Sequence, residues 1–296
     1  MNGILLVDKP VGITSHDVVD CIRRVTGIRR IGHTGTLDPA ATGLLVLCVG
    51  TATRLSEHLT GLDKVYEGSM RLGVVTDSYD LDGKVIETNA VPGLTIEDIQ
   101  AVCDRFVGEI MQVPPMVSAV KVGGERLYKK ARQGETVERA PRRVTVPEFS
   151  VLKYETPDVA IRVRCTRGTY VRSLCHEVGQ VLGCGATLAA LRRTFVGHHS
   201  VDDARPVAAF ATRQDVLDRL LSIDTALELP EVFVAPRMRN LVVTGGALGP
   251  GDLVGGCSVR DGWVQIKLEN GKLLALGHIE PAPSGVRIHA KRVLVS

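Results

Sequence analysis

Apolar positions along this chain follow three rhythms. Ile4 to Val7 and Leu44 to Val49 are unbroken apolar runs of strand length, which read as buried strands. From Ser15 to Thr26, Val18, Val19, Ile22 and Val25 recur on one helical face, with Ser15 expected as the N-cap and Gly27 as the stop. A helix is expected over Thr51 to Leu59 and a strand over Val65 to Leu72. Thr95, with Asp98 three residues on, opens an amphipathic helix through Ile96, Ile99, Val102 and Phe106 that Gly108 ends. Strict alternation appears at Val159, Ile161, Val163 and Cys165, a half-buried strand with Arg162 and Arg164 on its other face. It leads into a helix with Val171, Leu174, Val178 and Val181 inward.

Beyond a helix ending near Leu221 the pattern shortens. Trp263 to Leu268, Lys272 to Ile279 and Val286 to Val295 alternate between Gly-rich turns, predicting a small β-rich domain joined around Leu229 and Pro230. The chain therefore divides into 1–228 and 229–296. The irregular order of strands and helices predicts an α+β fold on a mixed, largely antiparallel sheet with flanking helices.

With 296 residues, 44% hydrophobic and 23% charged, disorder and collagen-like classes drop out. The first residues carry no basic leader, and the longest apolar run is far short of a bilayer span, so neither export nor membrane insertion is expected. Seven cysteines without a C-x-x-C pair read as buried thiols of a reducing cytosol rather than disulfides or a zinc site.

The net charge of +3 is unevenly placed. Between Lys121 and Thr145 eight basic residues face three acidic ones, while the rest of the chain is slightly acidic. That segment is either a solvated charged face or a local grip on a phosphate backbone. Within it, Glu125 to Gln133 reads as a short basic helix with glycines at both ends.

Phosphate-loop, dinucleotide and zincin signatures are absent, and the eight histidines show no metal-ligand spacing. His198 and His199, in an expected strand, should face opposite ways. One loop stands out, GHTGTLDP from Gly32 to Pro39. On pattern alone Asp38 before Pro39 reads as a turn former.

Five blocks in order change that reading: GILLVDKPVGITSHDVV, GHTGTLDPAATGLLVLCVGTATRL, DKVYEGSMRLGVVTDSYDLDG, PPMVSAVKVGGERLYKKARQG and CTRGTYVRSLCHEVGQVLGCGATLAALRRTFVG. Together they span Gly3 to Gly197 and closely resemble the TruB family of pseudouridine synthases. The resemblance implies a pseudouridine synthase catalytic domain over 1–228, with an RNA-gripping thumb at about 114–143. A small PUA-like RNA-binding domain follows over 229–296. One departure is Val117, where family members often carry tyrosine.

Carried over by position, the resemblance makes Asp38 the catalytic aspartate, places Tyr66 against the target base and pairs Arg172 with the Asp38 carboxylate. Tyr170 and Leu191 would wall the pocket, His33 would help flip the nucleotide out of its stack, and Lys9 belongs to a structural motif beside the site. Lys129, Lys130 and Arg132 would grip RNA from the thumb. The implied activity is an isomerase converting uridine-55 in the tRNA T-loop to pseudouridine. The T-arm of tRNA is then the partner. No cofactor, metal, membrane or obligate protein partner is expected, and the protein is expected to be a cytoplasmic monomer.

Uridine becomes pseudouridine by breaking N1–C1′, turning the uracil and joining C5 to C1′, so no redox change is needed. A carboxylate serves either as nucleophile at C1′ or in C2′ deprotonation, and Arg172 is expected to hold it ionised. Two other readings remain. One is the catalytic subunit of a guide-RNA particle, whose proteins lack the thumb; the other is an RNA-binding or tRNA-folding protein.

Overall fold

The structure is a computed structural model of the whole chain. It describes every residue except 117, 119, 120, 123, 124, 127–136, 284, 295 and 296. The described residues form two large sheets with flanking helices.

The main sheet has nine strands: β1 (Gly3–Lys9), β2 (Ile31–His33), β3 (Thr42–Val49), β4 (Lys64–Leu72), β5 (Glu148–Glu155), β6 (Asp158–Cys165), β7 (Ala186–Val196), β8 (His199–Ser200) and β9 (Arg205–Pro206). Its central path runs β5, β6, β4, β7, β3, β1, β9; β2 joins β3 and β8 joins β7. Only β7 with β3 and β1 with β9 pair in parallel. This is the expected mixed, largely antiparallel α+β arrangement.

The unbroken apolar runs have a simple cause. Ile4, Leu6, Leu44, Val46 and Cys48 enter one core cluster, whereas Leu5, Val7, Leu45 and Leu47 enter another. Both faces of β1 and β3 are thus buried, and alternation has no reason to appear. Helix α1 (Ser15–Thr26) supplies Val18, Val19 and Ile22 to the second cluster. A third core joins β4, β6 and β7 to α3 (Ile96–Asp104) and α4 (Val171–Leu182) through Met70, Ile161, Ile99, Leu174 and Val178. The other face of β6 carries Arg162, paired with Glu67 at 2.9 Å, and Arg164.

Several local expectations are corrected. The N-cap of α1 is Thr14, whose side chain and Asp17 form a reciprocal capping box; Ser15 turns inward for a different purpose, described below. Thr51 to Leu59 is a 3-10 turn (Gly50–Leu55) followed by α2 (Ser56–Gly61). Helix α3 stops at Asp104, so Phe106 lies beyond it and Gly108 begins a strand, Gly108–Gln112. Val181 is 40% exposed rather than inward. The helix before Leu221 ends at Asp218, and Leu221 instead exchanges backbone hydrogen bonds with Ile4. His198 occupies the turn between β7 and β8, so its ring lies 4.0 Å from that of His199 instead of facing away.

Around the basic segment, Gly108–Gln112 pairs with Arg142–Val146. Glu125–Arg126 is a strand paired with Lys121–Val122 rather than the start of a helix. The remainder of that expected helix, with Val117, lies outside the described residues.

The second sheet has six strands and runs from Glu231 to Val293. It packs on the first through Leu273, Leu276 and Leu294, which share a cluster with Ile4, Leu44, Leu55 and Leu59. Trp263 meets His58 of α2 edge-on, ring centroids 4.3 Å apart. Exposed Arg292 pairs with Glu57 at 2.9 Å across the same junction.

All seven cysteines are free thiols; five are buried, and Cys21 and Cys257 are half-buried. Burial pushes Cys48, Cys103 and Cys165 up to about 12, which leaves these thiols unreactive at neutral pH. Among the described residues no helix is long and apolar enough to cross a membrane. Nor does any group of three or more His, Cys, Asp or Glu gather there to hold a metal ion.

Candidate active site

The loop between β2 and β3 carries Asp38, and its shape is set from outside. Ser15 Oγ donates to Leu37 O (3.0 Å) and accepts from Leu37 N (2.8 Å), so a buried hydroxyl clamps the residue before Asp38. On the far side, Lys9 is fully buried and Nζ donates to the carbonyls of Pro10 (2.8 Å), Ile13 (2.8 Å) and Pro39 (3.3 Å). Gly12 N adds a bond to Pro39 O at 2.9 Å. The loop is thereby fixed on both flanks of Asp38, and Lys9, its pKa lowered by burial, binds backbone in this structure.

Arg172 stands in the first turn of α4, its side chain only 5% exposed. Nη2 lies 3.1 Å from Asp38 Oδ2, and Nη1 lies 3.0 Å from Asp80 Oδ2 and 3.1 Å from the carbonyl of Ser78. The sequence reading missed Asp80. Its segment, SYDLDG, looks like an acidic turn, and only the fold brings it to Arg172. Ser78 Oγ donates to Asp80 Oδ1 at 2.5 Å, and Leu188 N donates to Tyr79 O at 2.9 Å, tying this loop to β7. Tyr79 holds a left-handed φ of 66° and stacks on His176, one helical turn past Arg172, with centroids 4.0 Å apart.

Arg172 favours the ionised form of Asp38, as expected, but burial acts more strongly in the other direction. Asp38 is half-exposed, yet its pKa is raised: burial is the largest cause, Arg172 opposes it, and Asp80 and Asp82 add repulsion. The guanidinium divides its attraction between two carboxylates, so it only partly offsets the loss of water.

Tyr66 lies in β4 opposite Val163 of β6 and Arg193 of β7. Burial raises the pKa of its phenol, and the nearby Arg193 charge opposes that rise; Asp38 is near enough to act on it too. Leu191 lies opposite Gly68 and, like Tyr66, packs against the margin of the third core. Tyr170 caps α4, held by reciprocal bonds with buried Gln112 (2.7 and 3.1 Å). His33 is half-buried at the end of β2, its Nδ1 accepting from Gly35 N at 3.4 Å, and burial lowers its pKa. Asp38 and Arg172 are thus in direct contact and Tyr66 is close enough to feel the Asp38 charge, while Leu191 lies on β7 opposite Gly68. Lys129, Lys130 and Arg132 lie outside the described residues.

A carboxylate on a clamped loop, a buried guanidinium beside it and a tyrosine within reach of the carboxylate's charge can hold a planar base and stabilise charge at the atom bonded to it. Comparison with known proteins points the same way. Residues 23–171 match the family described as TruB family pseudouridylate synthase (N terminal domain), and 172–232 match the tRNA pseudouridylate synthase B C-terminal domain. The chain is 40% identical over 278 residues to tRNA pseudouridine synthase B of Clostridium novyi (strain NT), covering 94% of this chain and 95% of that one. Its identity to the protein of the same name from Mycobacterium sp. (strain KMS) is 44%, over 91% and 92% of the two chains.

Among solved structures, an H/ACA RNP bound to a substrate RNA containing 2′-deoxyuridine is similar at 25% identity with a TM-score of 0.75, over 99% of this chain and 85% of that one. A Cbf5-Nop10-Gar1 complex is similar at 28% identity and the same TM-score, over 99% and 85%.

Proposed function

The chain belongs to the TruB family of pseudouridylate synthases, and on that footing we propose that it isomerises uridine-55 in the T-loop of tRNA. It is a tRNA pseudouridine synthase, an isomerase. The observation that carries the finer reading is the 3.1 Å contact between Asp38 and buried Arg172.

Asp38 is the catalytic carboxylate, acting at C1′ or through C2′ deprotonation. N1–C1′ breaks, the uracil turns against Tyr66, C5 joins C1′, the C5 hydrogen leaves as a proton and N1 regains one. Arg172 opposes the rise in the Asp38 pKa and fixes the carboxylate in direction. The base reaches this site only by leaving its stack, with His33 assisting and Tyr170 and Leu191 closing the wall. Lys9 sets the loop.

Residues 1–228 form the catalytic unit, with Lys129, Lys130 and Arg132 of the thumb gripping the T-arm. Residues 229–296 form a PUA-like RNA-binding domain, a role supported by the six-stranded sheet that begins at Glu231. The protein works as a cytoplasmic monomer without an obligate protein partner. Curated relatives that match almost end to end favour this over a guide-RNA particle, whose structures stand at lower identity.

The test is tritium release from T-loop tRNA labelled at uridine C5. Release by the wild type but not by Asp38→Asn, with tRNA binding intact in both, is expected. Turnover by Asp38→Asn would overturn the assignment of the carboxylate.

A further inference from the structure

The strands Gly108–Gln112 and Arg142–Val146, which lead into and out of the basic segment, pair with each other in a sheet of their own. Both are tied to one short connection, Thr166 to Tyr170, between β6 and α4. At its start Thr145 N donates to Thr166 Oγ1 (2.9 Å) and Thr166 N donates to Thr145 O (2.9 Å). At its end Gln112 Oε1 accepts from Tyr170 N (2.7 Å) and Nε2 donates to Tyr170 O (3.1 Å). Gln112 is 1% exposed. A peptide N–H only donates and a carbonyl only accepts, so a single orientation of the amide satisfies both bonds.

Helices α1 and α3 start on local capping boxes, Thr14 with Asp17 and Thr95 with Asp98. Helix α4 has no such device: the Tyr170 side chain makes no cap and the first turn holds no acidic residue. Its start is held instead by a side chain 58 positions earlier in the chain. Arg172 follows two residues after Tyr170, with Nη2 3.1 Å from Asp38 and Nη1 3.0 Å from Asp80. A shift of about 1 Å at the start of α4 is enough to break such a contact, and misplacement of that size can cost on the order of 100-fold in rate.

We propose that Gln112 is a positioning residue for the isomerisation: its buried amide fixes the start of α4 and so holds the Arg172 guanidinium on Asp38. This rests on the reading of Asp38 as the catalytic carboxylate argued above. The Gln112 strand ends two residues before the segment expected to grip RNA, so the same amide joins the base of that segment to the catalytic pair. Thr166 pins the other end of the connection, six residues before Arg172, and serves as the internal comparison.

The test uses the full chain, reading single-turnover tritium release across pH, tRNA affinity and, as a check of folding, thermal unfolding. Gln112→Met removes both amide bonds at nearly constant volume; Gln112→Glu keeps an acceptor for Tyr170 N and loses the donor to Tyr170 O. Either is expected to lower the rate about tenfold or more with tRNA affinity within about threefold. The acidic limb of the profile should move to higher pH, because Arg172 opposes the rise in the Asp38 pKa and its hold is loosened. Thr166→Val, at the other end of the connection, should keep the rate within about twofold and the limb in place. In an Arg172→Lys background Gln112→Met should change the rate less than about twofold. Equal losses from the two ends, an unmoved limb, additive losses with Arg172→Lys, or failure of both Gln112 variants to fold would overturn the proposal by marking Gln112 as part of the frame. A wild type that releases no tritium would sink the functional reading first and this proposal with it, an outcome distinct from an undisturbed Gln112→Met in an active enzyme.

Discussion

Asp80 lies 3.0 Å from the Arg172 guanidinium, on the nitrogen next to the one that faces Asp38. One buried cation thus serves two carboxylates of different exposure, 16% for Asp80 and 48% for Asp38. Replacing Asp80 with Asn should do two opposing things. Arg172 loses an anchor, so kcat should fall about tenfold or more while tRNA affinity stays within about threefold. The acidic limb of the pH–rate profile should move down, because the repulsion of Asp80 on Asp38 is gone. Stopped-flow turnover across pH checks both; an upward shift would contradict the shared-cation picture.

The wild-type limb itself is the second expectation. In the proposed mechanism Asp38 acts as the anion, and its pKa is raised, so turnover should fall with acid at a pH above the ordinary 3.8 of such a carboxylate. Single-turnover rates with saturating enzyme, from pH 8 downward, read it directly.

Ser15 and Thr14 are neighbours with different duties, which makes them a useful pair. Ser15→Ala leaves both backbone groups of buried Leu37 unpaired and should cost about 1–3 kcal/mol of unfolding free energy, with kcat lowered more than KM is raised. Thr14→Ala removes only the cap of α1 and should cost about 1 kcal/mol with turnover spared. Chemical denaturation and steady-state kinetics on both proteins suffice.

The junction between the sheets is apolar in its energetics. Leu276→Ala, at a fully buried position, should cost about 2–5 kcal/mol, whereas Arg292→Ala removes an exposed pair worth under about 1 kcal/mol. Trp263 is the single tryptophan of the chain and sits at this junction, so its fluorescence should report loss of docking in the first variant and not in the second.

Burial lowers the pKa of His33, His58, His176 and His199 below the ordinary 6.5. Below about pH 6.5 the unfolded chain therefore binds protons that the folded one refuses, and stability should decline as pH falls from there. Melting temperatures at pH 8, 6 and 5 check the sign, and His176→Phe, which keeps the stack on Tyr79, should flatten part of the slope.

What the sequence revealed follows its physics. Continuous apolar runs marked β1 and β3, alternation marked β6, and a Thr with Asp three residues later marked the start of α3. The centre of the sheet stayed hidden because β7 is irregular: register shifts at Leu188/Ala190 and Arg193/Phe195 break the period of two. Arg193, buried at 2% exposure, was unreadable for another reason, since one of two adjacent arginines is ordinarily solvent-facing. Asp38, Tyr66 and Arg172 were reached through resemblance to a family, and pattern alone left Asp38 a turn former. Asp80 and Ser15 carried no signal, because each matters through a partner 92 or 22 positions away.

The place of β7 bears on how the protein is made. The family match passes from its N-terminal to its C-terminal segment between residues 171 and 172, yet the strand between β4 and β3 comes from the later segment. A ribosome therefore delivers the two strands it must join more than 110 residues before the joining strand. Until then β4 lacks its β7 partner along its whole length, whereas β3 lacks it only at Thr42 and Gly43, since β2 already covers Leu47 to Val49. The nascent chain is open beside β4, and the interval before residue 196 emerges is when a holding chaperone has most to protect.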